Sequence, residues 1–300
     1  MDTEILTTPT PVIALFGEVL ADVFPDRSVL GGAPFNVARH LQVLGLNPVM
    51  ISRIGNDALG TALLQEMAQL GMQTAAIQRD STYLTSQVRV VLESSGHRFE
   101  ILPDQAYDFI NPQETRAALT AHAPQLAYFG TLAQRGAPSR QAAQVFLQEC
   151  QCPLFLDINL RAPWYDRDII AASRRAAQIV KLNDEELAVV AGMFGGALLD
   201  ELEQARALQR EFELEQVLVT CGAAGCWMLD AQRQVLRAQP APDNRPVVDT
   251  VGAGDAFAAV FMQGLLSGWA LPDTLQRACN YASAQCRVRG AAPYGVPAKV

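Results

Sequence analysis

The chain has 300 residues, half of them hydrophobic, and a formal charge of −8. A chain of this length and composition buries about 75% of the surface its unfolded form exposes, which excludes intrinsic disorder. Its cations are nearly all arginine, with lysine only at Lys181 and Lys299, and they form no basic run or stripe. Nucleic acid is thereby excluded as the main partner, and a phosphate-rich ligand has to be neutralised locally by metal ions, backbone amides or a few arginines.

The first strand signal is the apolar run from Pro11 to Phe16, which ends at Gly17. It is too short for a signal peptide or a membrane span, which predicts a cytoplasmic protein with no membrane partner. A helix is predicted over Pro34–Leu44, with proline in its first turn and Gly45 at its end. A strand at Val49–Ile54 and a helix at Ala58–Leu70 complete a strand-helix-strand-helix rhythm. The rhythm breaks near residue 84, where Gln87–Leu92 and Arg98–Leu102 flank Ser94-Ser95-Gly96, a hairpin signal for a flap or a small second sheet.

After residue 112 the alternation resumes. Strands are predicted at Leu126–Phe129, Leu154–Ile158, Ile179–Leu182 and Val217–Thr220, and helices at Ser139–Glu149 and Asp200–Phe212. Cys226–Leu229 and Gln234–Ala238 read as an antiparallel pair, followed by helices at Asp255–Leu266 and Leu271–Arg287. The six cysteines lack C-x-x-C spacing and read as reduced core residues rather than zinc ligands. The whole pattern predicts one three-layer α/β domain over residues 1–300 with a hairpin insertion. Its ligand belongs outside the carboxyl ends of the parallel strands.

The segment Asp249-Thr-Val-Gly-Ala-Gly-Asp-Ala-Phe257 carries the most chemistry. Its glycines let several amides converge, and the helix that starts there adds unpaired amides and a positive partial charge. Together they make an anion site suited to a phosphoryl group in transfer. Asp255 stands in the first helical turn, where it can accept the proton of an attacking hydroxyl or simply cap the helix. No G-x-x-x-x-G-K-S/T string occurs, and the third glycine of a dinucleotide fingerprint is replaced by Phe257.

This segment resembles the C-terminal signature of the ribokinase-like, or pfkB-type, carbohydrate kinases. A second segment, Gly31-Gly32-Ala-Pro-Phe-Asn36-Val-Ala38, resembles the N-terminal signature of the same family. The resemblance implies a three-layer α/β/α ribokinase-like fold with a mostly parallel central sheet and a small β lid, formed here by about 18–31 and 84–103. It implies that Asp255 is the catalytic base and that Gly252, Ala253, Gly254 and the Asp255 amide form the anion hole. Asn36 offers both a donor and an acceptor to a sugar hydroxyl, and Gly31 and Gly32 let main chain approach the sugar. Asp22, five residues after Gly17, falls at the family's sugar-binding aspartate.

Further segments carry the resemblance along the chain. Asp157-Ile-Asn159-Leu-Arg161 is similar to the family's D-x-N-x-R stretch, with Arg161 near the moving phosphate or the sugar. Its competing reading is a salt bridge with Asp157. Asn183-Asp-Glu-Glu186 matches the N-x-x-E motif tied to magnesium and phosphate, and also reads as a capping box. Thr220, Gly222 and Gly225 match the nucleotide loop, or else an ordinary hairpin turn. Asn280 and Ala284 fall at the adenine pocket, or else pack a helix. Phe24, Arg89 and Arg98 are the lid candidates to reach the sugar. Asp249 lies near the monovalent-cation site that the family often uses.

The resemblance is strongest to fructokinases, in Gly17–Pro25, Gly31–Leu44, Ser52–Gly60, Phe129–Gln134 and Lys181–Leu187. It implies ATP-dependent phosphorylation of a primary hydroxyl of a free sugar, fructose above all, with magnesium and potassium as cofactors. Kinases of 2-keto-3-deoxygluconate, ribose or a nucleoside, and a non-catalytic sugar-binding relative, stay open as alternatives. Pairing of two copies through the lid is a further implication.

Overall fold

The structure, a computed structural model, describes residues 10–23, 27–93 and 96–293, the side chains of 90–99 excepted. Nine strands form the main sheet: β1 (Val12–Phe16), β4 (Asn47–Gly55), β5 (Ile77–Asp80), β8 (Leu126–Gly130), β9 (Leu154–Asp157), β10 (Ile179–Asn183), β11 (Gln216–Thr220), β12 (Cys226–Leu229) and β13 (Val235–Ala238). Their order is β13-β12-β11-β10-β9-β8-β1-β4-β5. All neighbours from β11 to β5 run parallel, and β12 alone is antiparallel to both of its neighbours.

A parallel sheet needs both faces covered, and β1 shows how the sequence arranges this. Ile13 and Leu15 enter one apolar cluster, while Ala14 and Phe16 enter the other. The first cluster is filled by α1 (Ala33–Val43), α2 (Ala58–Gln69), α8 (Ala253–Leu266) and α9 (Leu271–Gln285). The second is filled by α3 (Pro112–His122), α4 (Ala137–Glu149), α5 (Arg167–Ala176), α6 (Asp184–Met193) and α7 (Glu201–Glu211). Helix α8 is buried continuously from Ala256 to Met262, as befits a helix apolar on all sides.

A second sheet has the order β3-β2-β6-β7, built from β2 (Leu20–Val23), β3 (Ser28–Gly31), β6 (Ser86–Glu93) and β7 (Gly96–Ile101). It joins the two segments 18–31 and 84–103 through parallel pairing of β2 with β6. The predicted strands and helices recur with ends shifted by a few residues. Not spelled out in advance are β2, β3, β5, α3 and α5. Strands of four residues show too little alternation to read alone, and α5 places its apolar residues between arginines and an aspartate. Its start is still chemically marked, since the Asp166 carboxylate accepts the Ile169 amide at 2.7 Å. No helix among the described residues is long and apolar enough to cross a membrane.

Candidate active site

A cleft of about 1110 Å³ opens beyond the carboxyl ends of β1, β8, β9, β10 and β11. Glu18, Leu132, Asp157, Asn183 and Thr220, each at or just past one of those ends, contribute to its wall. Leu20, Asp22, Val88 and Ile101 of the small sheet close one end. The first turn of α8 and one face of α9 close the other side.

The first turn of α8 begins at Gly252, whose φ of 78° lies in the left-handed region. A Cβ there would stand 2.5 Å from that of Ala291, so only glycine allows this entry into the helix. An α-helix leaves its first amides without partners inside the helix, and those of Gly254 and Asp255 belong to this turn beside the cleft. Gly32 plays the matching part at the start of α1. Its φ is 105°, and a Cβ would lie 2.7 Å from the Glu18 carbonyl oxygen.

The two glycine segments, some 220 positions apart, meet through one hydrogen bond. Asn36 Nδ2 donates to Asp255 Oδ2 at 2.7 Å. Asn36 is itself held, since Arg39 donates to its Oδ1, and Arg39 pairs with Glu66 at 2.8 Å. Burial pushes the Asp255 carboxyl up to about 6, with Asp157 adding to the rise, while the Asn36 bond, Lys181 and Arg161 work against it. A carboxyl in that range is suited to taking a proton near neutral pH. Asn36→Leu removes one bond to this carboxylate, and such bonds are worth about 1.5–3 kcal/mol. A kcat/KM about tenfold or more below wild type is therefore expected, with the acid limb of the pH profile displaced upward.

Beneath the glycine loop lies a buried ion pair. Lys181 Nζ donates to both oxygens of Asp157 at 2.9 Å, and a Cβ on Gly254 would sit 3.3 Å from that Nζ. The parallel register of β9 and β10 places the two residues as direct partners. Burial disfavours the ammonium, but Asp157, Glu186 and Asp255 more than offset it, so Lys181 titrates above its ordinary value.

The structure brings Asp22, Gly32, Asn36, Arg161, Asn183, Glu186, Thr220, Gly222, Gly225, Gly252, Ala253, Gly254 and Asp255 to one cleft. Gly31 lies just behind it, where an added Cβ would stand 3.5 Å from Asp22 Oδ2. Arg161 does not pair with Asp157, the partner of Lys181. It is exposed, donates to its own Leu160 carbonyl at 3.0 Å, and its charge lowers the proton affinity of Glu18, Asp22 and Asp255. Asn183 and Glu186 do form the capping box: Glu186 accepts the amides of Asn183 at 2.9 Å and Leu160 at 2.8 Å.

Four expectations need correction or lie out of view. The cleft face of α9 is Cys279, Ala282, Ser283 and Cys286, a spacing of three and four that leaves out Asn280 and Ala284. Asn280 Oδ1 instead accepts the Ala241 amide at 2.8 Å, pinning the loop that faces the nucleotide loop, and Ala284 packs against the core. Arg89 is exposed on β6 beside the cleft-lining Val88, and neighbours along a strand face opposite ways. Asp249 lies off the wall, its oxygens accepting the amides of Val251 at 3.0 Å and Gly290 at 2.9 Å. Phe24 and the side chain of Arg98 lie outside the described residues. Lys181 and Glu18 are cleft residues whose chemistry was not singled out, and Asp157 was paired with Arg161 rather than with Lys181. A lone lysine inside Ile179-Val180-Lys181-Leu182 was the available signal, because a buried charge requires a partner.

Residues 10–299 match the family model described as pfkB family carbohydrate kinase. The chain belongs to the pfkB family of carbohydrate kinases. It is accordingly an enzyme, an ATP-dependent carbohydrate kinase. A fructokinase of Klebsiella pneumoniae is 32% identical over 281 residues, covering 88% of this chain and 87% of that one. The crystal structure of a fructokinase with bound ATP from Xylella fastidiosa matches with a TM-score of 0.81 at 21% identity, covering 93% of both chains. A 2-dehydro-3-deoxygluconokinase from Thermotoga maritima reaches the same TM-score at 17% identity, covering 94% of this chain and 95% of that one. The ribokinase-like fold with its mostly parallel sheet is thus shared with a fructokinase and a 2-dehydro-3-deoxygluconokinase.

Proposed function

We propose that this pfkB kinase transfers the γ-phosphoryl group of ATP to a primary hydroxyl of a free sugar, fructose before others, with Asp255 as the general base. The observation that carries the proposal is the hydrogen bond between Asn36 and Asp255, which unites the sugar loop and the phosphate loop in one cleft. The sugar lies between Asp22, Gly32, Asn36 and the small sheet. ATP lies along Thr220–Gly225 and the cleft face of α9, its terminal phosphate at the amides of the 252–255 turn. Asp255 takes the hydroxyl proton as the alcohol oxygen attacks in line, and the amides with Arg161 hold the charge on the phosphoryl oxygens.

Similarity to fructokinases supports fructose as the acceptor. The small sheet serves as a lid over the sugar and keeps water from the phosphate. Its outer strand β3 is the edge through which two copies would pair.

Magnesium fits as an ion carried by ATP. No cluster of three His, Cys, Asp or Glu side chains able to hold a metal occurs among the described residues. Glu186 already accepts two amides, so it and Asn183 would hold the ion through its own waters. When bound there, magnesium neutralises phosphate charge. A potassium ion beside the glycine loop belongs to the same reading.

A coupled assay of ADP release decides the matter, run on fructose, ribose, 2-keto-3-deoxygluconate and a nucleoside in potassium and in sodium buffer. Fructose is expected to give the highest kcat/KM, and an acid limb is expected near pH 6, below which the base carries its proton. ADP release that is independent of every sugar sinks the proposal.

A further inference from the structure

Glu18 stands directly after β1 and is 4% exposed, yet it borders the cleft. Its Oε1 accepts the amide of Ala33, the first residue of α1, at 3.2 Å. Its Oε2 is buried and has no hydrogen-bond partner in the structure. The Gly31-Gly32 turn passes close over this residue, since a Cβ at Gly32 would stand 2.7 Å from the Glu18 carbonyl oxygen and 3.4 Å from its Cγ. One turn further along α1, Asn36 holds Asp255. Glu18 therefore sets the start of the helix that carries the partner of the base.

The surroundings favour the uncharged acid. Burial is the main influence and pushes the Glu18 carboxyl up to about 7, with Asp255 of α8 adding to it, while its own backbone amide, Arg161 past β9 and the Ala33 amide oppose it. Tyr128 of β8, Tyr107 and Arg135 also feel its charge, and both phenols are held above their ordinary range chiefly by burial. Asp22 of β2 adds another half-buried carboxyl at the same end of the cleft. An ionised Glu18 would leave Oε2 charged and unpaired, beside a base that must itself be ionised and near an incoming polyphosphate.

We propose that Glu18 is a positioning residue for Asp255: its carboxyl pins the first amide of α1, and its ionisation, which sets a second negative charge beside the base, turns the site down. The inference rests on Asp255 being the base. Two coupled carboxyls then shape the pH profile, one that must lose its proton and one that must keep it, and the apparent limbs belong to the pair.

Glu18→Gln keeps an acceptor for Ala33 and cannot ionise. In wild type, kcat/KM for the sugar is expected to fall about tenfold between pH 7 and pH 8.5, as a single ionisation near 7 dictates. Glu18→Gln is expected to lose that alkaline limb, while its acid limb stays near pH 6, where Glu18 already carries its proton in wild type. Glu18→Ala, which drops the Ala33 bond, is expected to raise the sugar KM about tenfold while the ATP KM moves less than twofold.

Thermal melts give a readout that needs no activity. The native carboxyl binds its proton more tightly than the unfolded chain does, so the wild type loses stability as pH rises from the ordinary range through about 7. The melting advantage of Glu18→Gln over wild type is expected to grow across that window and then level off. A Glu18→Gln enzyme with the wild-type alkaline limb, or a pH-independent difference in melting, overturns the proposal. A wild type that phosphorylates none of the sugars defeats the functional reading instead, and the melts still judge Glu18.

Discussion

Asp255→Asn is expected to lower kcat by about 10²–10⁴, the usual contribution of a general base, while ATP affinity stays within about threefold. The amide oxygen can still accept from Asn36 Nδ2, so the geometry of the turn survives the change. The same variant is expected to be more stable than wild type. The native carboxyl titrates at about 6, against 3.8 ordinarily, because it is buried. Its protonated form is therefore favoured by folding, and wild-type stability falls as pH rises through about 6. At pH 7.5 the neutral amide avoids that cost, worth about 3 kcal/mol, and Tm is expected to rise by roughly 5 °C. The gain shrinks toward zero as pH falls to the ordinary carboxylate range. Turnover close to wild type would remove Asp255 from the chemistry, and a lower Tm at every pH would contradict its burial as a charged group.

Lys181→Met carries the largest expected effect on stability. It leaves the Asp157 carboxylate, 2% exposed, without its ion partner. Breaking one side of a buried pair costs about 3–5 kcal/mol, whereas removing both sides is close to neutral. The single variant is expected to unfold at markedly lower denaturant. The double variant Lys181→Met with Asp157→Asn is expected to recover most of the loss, and Tyr128, 3.3 Å from Asp157 Oδ2, still finds an acceptor there. The activity of the single variant should shift as well, since Lys181 lowers the proton affinity of Asp255 and its loss moves the acid limb above pH 6. Equal midpoints for wild type and Lys181→Met would mean that the pair does not hold the floor of the cleft.

The position of Glu18 shows where reading along the chain stops. It follows a strand, and any acid in that place reads as surface. Its burial depends on α1 folding back over β1, a contact set by the packing of α1 on the sheet and on α8. Arg161 shows the same limit in reverse. Proximity in sequence suggested Asp157 as its partner, but Asp157 faces β10 and finds Lys181 through the register of two parallel strands. The wall of α9 was missed by a single step: a helix turns about 100° per residue, so moving from Asn280 to Cys279 moves from the loop side to the cleft side.

From the order of residues alone come the α/β alternation, the interrupting hairpin, the glycine turns at 31–32 and 252–254, and Asp255 in the first turn of its helix. These follow from local rules, because backbone freedom, apolar periodicity and helix ends are properties of neighbouring residues. The tertiary structure alone decided that Asn36 bonds Asp255, that Lys181 neutralises Asp157, and that Glu18 is buried beside the base. Each of those depends on segments far apart in the chain being packed face to face, and on the loss of water that makes a charge there seek a partner or a proton.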